Sequence, residues 1–91
     1  MDDEHAIGYQ VLASGVPVEA ADGTRLGTFD KAIHHQREHM LDGIVMRTER
    51  GRLFVDAPEV ARITNRRVIL TIGVAEVAAL PLYRSFLGRR Y

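Results

Sequence analysis

Three histidines fall within the hexapeptide His34-His35-Gln36-Arg37-Glu38-His39. Its last five residues fit H-x-x-E-H, a spacing with which some zinc peptidases place two imidazoles and a carboxylate on one helix. That chemistry needs a long helix, a third ligand and a substrate cleft. Here the flanks, residues 28–33 and 41–48, are strand-like, so the stretch reads as a solvated polar turn. If that turn curls, His34, His35 and His39 are candidates for weak zinc or nickel binding, with oligomer symmetry completing the set, because imidazole suits both ions. Histidine is the side-chain type whose charge ordinarily changes near neutrality, so a histidine-rich turn also admits a pH-dependent contact. Asp22 and Asp56 are the other groups of interest. Asp22 precedes Gly23 and suits a turn. Asp56 precedes Ala57-Pro58 and suits a helix N-cap, its carboxylate accepting orphan N–H groups. No Ser/His/Asp ordering stands out. Gly23-Thr24-Arg25-Leu26-Gly27 lacks the lysine and the helix of a phosphate loop.

The elements that would position these groups are short. Asp22-Gly23, Arg50-Gly51 and Asn65-Arg66 each separate apolar, β-branched stretches, a spacing that predicts an all-β sandwich or barrel. Residues 16–20 and 24–29 flank the first turn. Phe29 and Ile33 share a face at even spacing, whereas Leu26 is out of phase, so a bulge or close backbone approach is expected at Gly27. Further on, Ile44 and Met46 alternate with Val45, Leu53 and Val55 with Phe54, and Val68, Leu70 and Ile72 with Ile69 and Thr71. Both faces of these strands are apolar, and the outer one invites a covering layer or partner. Pro58 suits the first turn of a short helix. Residues 74–80 contain good helix formers and end at Pro81. In a helical tail, Tyr83, Phe86, Leu87 and Tyr91 would form one apolar stripe.

Composition bounds the possibilities. The 91 residues are enough for one domain, and 46% are hydrophobic, as in an ordinary globular protein. A domain of this size buries about 60–65% of the surface its unfolded chain exposes. Without cysteine there is no disulfide framework and no thiolate metal site. Twelve basic residues balance twelve acidic ones, which counts against a nucleic-acid binder. No apolar run approaches the roughly 18–20 residues needed to span a bilayer. The acidic start lacks the features of a signal peptide, so the expected location is cytoplasmic.

The order of the motifs resembles the PRC-barrel family, named for the cytoplasmic domain of the photosynthetic reaction-centre H subunit. Gly15-Val16-Pro17-Val18 and then Ala21-Asp22-Gly23-Thr24-Arg25-Leu26-Gly27-Thr28-Phe29 are similar to the family's opening hairpin. Residues 43–48 resemble its central strand. Leu53-Phe54-Val55, the proline turn, Val60 and Val68-Ile69-Leu70 resemble the rest of the barrel, and Leu80-Pro81-Leu82-Tyr83 its exit. The likeness covers about residues 13–83. It departs where Asp56 and Ala57 intervene before Pro58, since the family often places proline directly after the position of Val55. The resemblance implies a small all-β barrel of about six bent antiparallel strands. It also implies docking and assembly roles, as in reaction centres and ribosome maturation factors, and no catalytic residues.

These readings divide the chain into a flexible segment (1–10), a β-barrel (11–73), and a short C-terminal helix with a tail that packs on the barrel or a partner (74–91). The expected function is that of a non-catalytic interaction module, a homodimer or the partner of another protein, with no cofactor and no small-molecule substrate. Its contact residues would be Val45, Phe54, Ile69, Tyr83, Phe86, Leu87 and Tyr91. Two rivals remain. One is an RNA- or ribosome-assembly factor using Arg47, Arg50, Arg52, Arg62, Arg66 and Arg67. The other is a metal-binding protein built on His34, His35 and His39.

Overall fold

The computed structural model of the chain describes residues 3–35 and 40–83. Six strands form: β1 (Pro17–Glu19), β2 (Arg25–His35), β3 (Met40–Thr48), β4 (Gly51–Asp56), β5 (Val60–Ile63) and β6 (Val68–Leu70). One helical turn, α1 (Val74–Val77), follows. The turn chemistry read from the sequence accounts for the hairpins. Asp22 Oδ1 accepts from the Thr24 N–H at 3.0 Å, a bond that lowers its pKa from the ordinary carboxylate value, and Gly23 follows at φ +93°. Gly51 turns β3 into β4 at φ +112°, a conformation that disfavours any side chain.

The strand order is β4-β3-β2-β1-β6-β5, a single sheet with β4 and β5 at its edges. Two expectations change here. The sheet is open in its pairing and mixed, because β1 and β6 run parallel (Val18 opposite Val68), whereas the other pairs are antiparallel. The 3-10 turn Ala57–Glu59 lies between β4 and β5, which are not paired; β5 instead lies at the far edge, and the β5–β6 hairpin brings β6 back alongside β1. Asp56 occupies the N-cap position of that turn, but its carboxylate caps nothing. Pro58, second in the turn, has no N–H to offer it.

Alternation places Val18, Phe29, Ile44, Met46, Leu53, Val55, Val68 and Leu70 on the core face, and Leu12 and Val77 join them. Leu26 joins that cluster through a bulge: Val18 faces Gly27 and Glu19 faces Arg25, leaving Leu26 as the extra residue. The irregularity expected at Gly27 is therefore present. A second bulge was not anticipated. Phe29 pairs with Met46 and Lys31 with Val45, so Asp30 is extra and the side-chain alternation inverts. Ala32, not Ile33, then packs on the core, and Ile33 does not share a face with Phe29.

The opening segment, expected to be flexible, lies along β5. Ala6 bridges Thr64, the Ile7 N–H donates to the Ile63 carbonyl, and His5 and Asn65 exchange bonds. The buried Thr64 hydroxyl donates to the Glu4 carboxylate at 2.7 Å, and Arg67 reaches Glu4 (2.8 Å) and Glu19 (3.3 Å). The Thr64 hydroxyl and the Arg67 guanidinium together hold the Glu4 carboxyl below its ordinary pKa. Its attachment is therefore complete above the unfolded carboxylate range and fades as pH falls through the lowered folded value. Arg67→Ala should release this segment. In hydrogen exchange the Ile7 and Asn65 amides should then lose protection while the β3 amides keep theirs; equal protection in both proteins would show that the ion pairs are not what hold it.

Among the described residues no helix is long and apolar enough to cross a membrane.

Candidate functional site

Two exposed apolar side chains, Val74 and Leu82, and an unusual charge arrangement lie toward the β3–β4 side of the sheet. After α1 the chain turns at residues 78–80 and lays Pro81, Leu82 and Tyr83 along the open edge of β4. Leu82 stands opposite Leu53 in an antiparallel bridge. The Phe54 N–H donates to the Pro81 carbonyl at 3.0 Å, and the Tyr83 N–H to the Arg52 carbonyl at 2.8 Å. An edge strand exposes a row of unpaired backbone groups, and the tail satisfies two of them. Pro81 has no N–H, so it cannot return a bond to the Phe54 carbonyl, and the ladder stops there.

Tyr83 then lies over the outer face. Its ring stacks with Phe54 at 6.4 Å, with the Lys31 ammonium 5.2 Å and the Arg52 guanidinium 5.7 Å from its centre. Beside it, Arg47 and Arg52 are direct cross-strand neighbours, a like-charge pairing that is unfavourable on its own. The Asp30 bulge resolves it. One carboxylate oxygen accepts from Arg47 Nη2 at 3.1 Å and the other from Arg52 Nη1 at 3.3 Å. The Asp30 side chain is only 10% exposed, and burial raises its pKa more than any other single influence. The two guanidinium groups together outweigh burial and hold the carboxyl below its ordinary value.

Arg50, in the β3–β4 turn, reaches the other way. Its guanidinium donates to the carbonyls of Val77 (3.4 Å), Ala78 (3.2 Å) and Leu80 (3.5 Å). These lie at and just beyond the end of α1, where a helix leaves acceptors without internal partners. The other end of α1 is closed by Glu76, whose carboxylate accepts from the Gly73 N–H at 2.7 Å.

The expected contact residues fare unequally. Val45 is fully buried, set between Lys31 and Phe54 in the ladder, and offers no area to a partner. Phe54 and Tyr83 meet and are half-buried; Ile69 is half-buried on β6, between Glu19 and Arg62, away from them in the strand order. Tyr83 is extended against β4, not the start of a helical stripe. Phe86, Leu87 and Tyr91 lie outside the described residues. Exposed apolar area at this end comes instead from Leu82 and Val74, each 51% accessible.

His34 and His35 end β2 and Met40 begins β3, so the histidine stretch does connect two strands. The exposed His34 ring lies 5.6 Å from that of Tyr9. His39 and the His35 side chain lie outside the described residues. Among the described residues no three His, Asp or Glu side chains converge to hold a metal.

The six arginines of the basic-face reading are dispersed. Arg47 and Arg52 share Asp30, Arg50 grips carbonyls, Arg67 holds Glu4 and Glu19, and Arg62 and Arg66 belong to the β5–β6 hairpin at the opposite edge. Of these partnerships, only Asp30 left a trace in the sequence, as an aspartate within a strand, where that residue is uncommon. A groove of about 320 Å³ beside β2 has Tyr9, Ser14, Asp30, Lys31 and His34 at its rim. The Asp30 carboxylate is held by arginines and the Ser14 hydroxyl donates to the Phe29 carbonyl.

No family model matches the chain, and no curated protein does either.

Proposed function

We propose that this chain is a non-catalytic protein-interaction module of the PRC-barrel type, acting in the cytoplasm without a cofactor, as a homodimer or on another protein. The observation that supports this reading is the β4 edge. Among the described residues a three-residue segment bridges it at Leu82, the Phe54 carbonyl receives no backbone donor from that segment, and the half-exposed Leu82 flanks it. Beyond Tyr83 the chain carries Phe86, Leu87 and Tyr91, aromatic and aliphatic anchors of the kind that dominate interfaces. A contact of roughly 800 Å² per partner, at about 25 cal/mol per Å², supplies ample gross driving force before the entropy of association is subtracted.

The test is truncation. A chain ending at Pro81 loses Leu82, Tyr83 and everything beyond. Sedimentation velocity over a concentration series should show the full chain associating and the shortened chain monomeric. Should both sediment identically, and capture the same proteins from native lysate, the tail and the edge it covers are not the contact surface.

A further inference from the structure

The geometry points to exchange: the Pro81–Tyr83 segment binds the β4 edge of a second copy of this chain, and Arg50 is the latch that holds it on its own. This rests on the interaction reading above and adds to it the segment that moves and the edge that receives it.

Among the described residues the tail meets β4 through two main-chain bonds, the Leu82–Leu53 pairing, and the Tyr83 ring on Phe54 and beside the Arg52 guanidinium. All of them are made by residues beyond the hinge at 78–80. A second copy presents the same groups in the same order, so a tail that crosses over reproduces each contact and changes only the path of the hinge, the condition under which reciprocal exchange is inexpensive. Two features favour a second copy as occupant. Leu82 and Val74 are each half-exposed on either side of the hinge in the single chain, and a neighbouring chain would shelter them. The tail segment is also chemically matched to this edge: Pro81 offers a carbonyl to the Phe54 N–H and demands no partner of its own. Opposing exchange are the three hydrogen bonds from Arg50, which fix the carbonyls of Val77, Ala78 and Leu80. Those are the bonds a hinge must break to straighten.

The chain has no cysteine, which makes a clean test possible. Leu53→Cys is placed in one copy and Leu82→Cys in another, and the two are mixed under mild oxidation. Exchange predicts a disulfide-linked heterodimer well above the background given by Leu82→Cys mixed with Ala61→Cys, an exposed site on β5. Adding Arg50→Ala should speed heterodimer formation several-fold. If Leu53→Cys unfolds the core, Arg52→Cys with Tyr83→Cys reports on the same seat. Heterodimer at background level, while the doubly substituted single chain closes its own disulfide, overturns exchange. A heterodimer whose rate ignores Arg50→Ala overturns the latch. Tail-dependent sedimentation without a trans disulfide rejects exchange and leaves the interaction reading standing.

Discussion

Gly27→Ala is expected to lower the unfolding free energy by about 3 kcal/mol or more, a large share of the roughly 5–15 kcal/mol available to a small domain. A methyl group at position 27 would land well inside contact distance of the Arg47 carbonyl oxygen, and would press on the Thr48 methyl as well. The obstacle is the backbone of the neighbouring strand, which has no rotamer to change. Either β2 and β3 separate around Thr28 and Arg47, or β2 loses the bend that its bulge at Leu26 creates. Gly43 is a second such position, where the new carbon would meet the Val55 carbonyl oxygen, again strand backbone, and the Phe54 ring, so a loss of similar size is expected. Gly23→Ala supplies the contrast. Nothing lies within 4 Å of its missing side chain, and the cost is that of a left-handed backbone, about 1–2 kcal/mol. Urea denaturation of the three variants should place both Gly27 and Gly43 above Gly23. A loss below about 1 kcal/mol at Gly27 would mean that β2 and β3 do not approach as described.

Asp30→Ala is expected to cost about 2 kcal/mol at neutral pH. Removing one member of a well-buried ion pair costs about 3–5 kcal/mol, and the value here is lower because Arg47 and Arg52 can still reach water. Their side chains are 64% and 40% exposed. What remains after the substitution is a cross-strand pair of like charges without the carboxylate that reconciled them. A further Arg47→Leu in that background should therefore recover stability, although Arg47→Leu alone should not, and this sign change is what a double-mutant cycle would read. The pH dependence has a definite direction. Because the folded carboxyl titrates below its unfolded value, the contribution of Asp30 is fully present above the unfolded range, near pH 4, and is lost as pH falls through the folded value. Thermal melts of wild type and Asp30→Ala should thus differ at pH 7 and converge in stronger acid. A gap that persists unchanged at low pH would assign the effect to packing and not to charge.

Much of the sheet was readable residue by residue. The pairs Ile44 and Met46, Leu53 and Val55, and Val68 and Leu70 lie on one face, as their alternation requires, and Asp22-Gly23 and Arg50-Gly51 turn where their chemistry allows. The misfit of Leu26 announced a bulge, because a period of two admits no other way to bury both Leu26 and Phe29. The Asp30 bulge made no such announcement: Phe29 and Ile33 keep even spacing whether or not the strand inverts between them. Within the chain Phe54 and Tyr83 meet, whereas Val45 is buried, and no spacing rule in the sequence distinguishes the two cases.

Local chemistry in the sequence was enough to show where the chain turns, which strand residues are apolar on both faces, and that the strand is irregular near Gly27. Each of these is set by a few adjacent residues, through backbone sterics and the alternation of a pleated strand. Long-range folding was needed to show that β6 lies parallel to β1, that one aspartate reconciles two arginines from different strands, that Arg50 grips the end of α1, and that the tail leaves α1 to bridge the β4 edge. These contacts join groups far apart in the chain, and their partners are chosen by whichever unsatisfied donor or acceptor the folded sheet brings within reach.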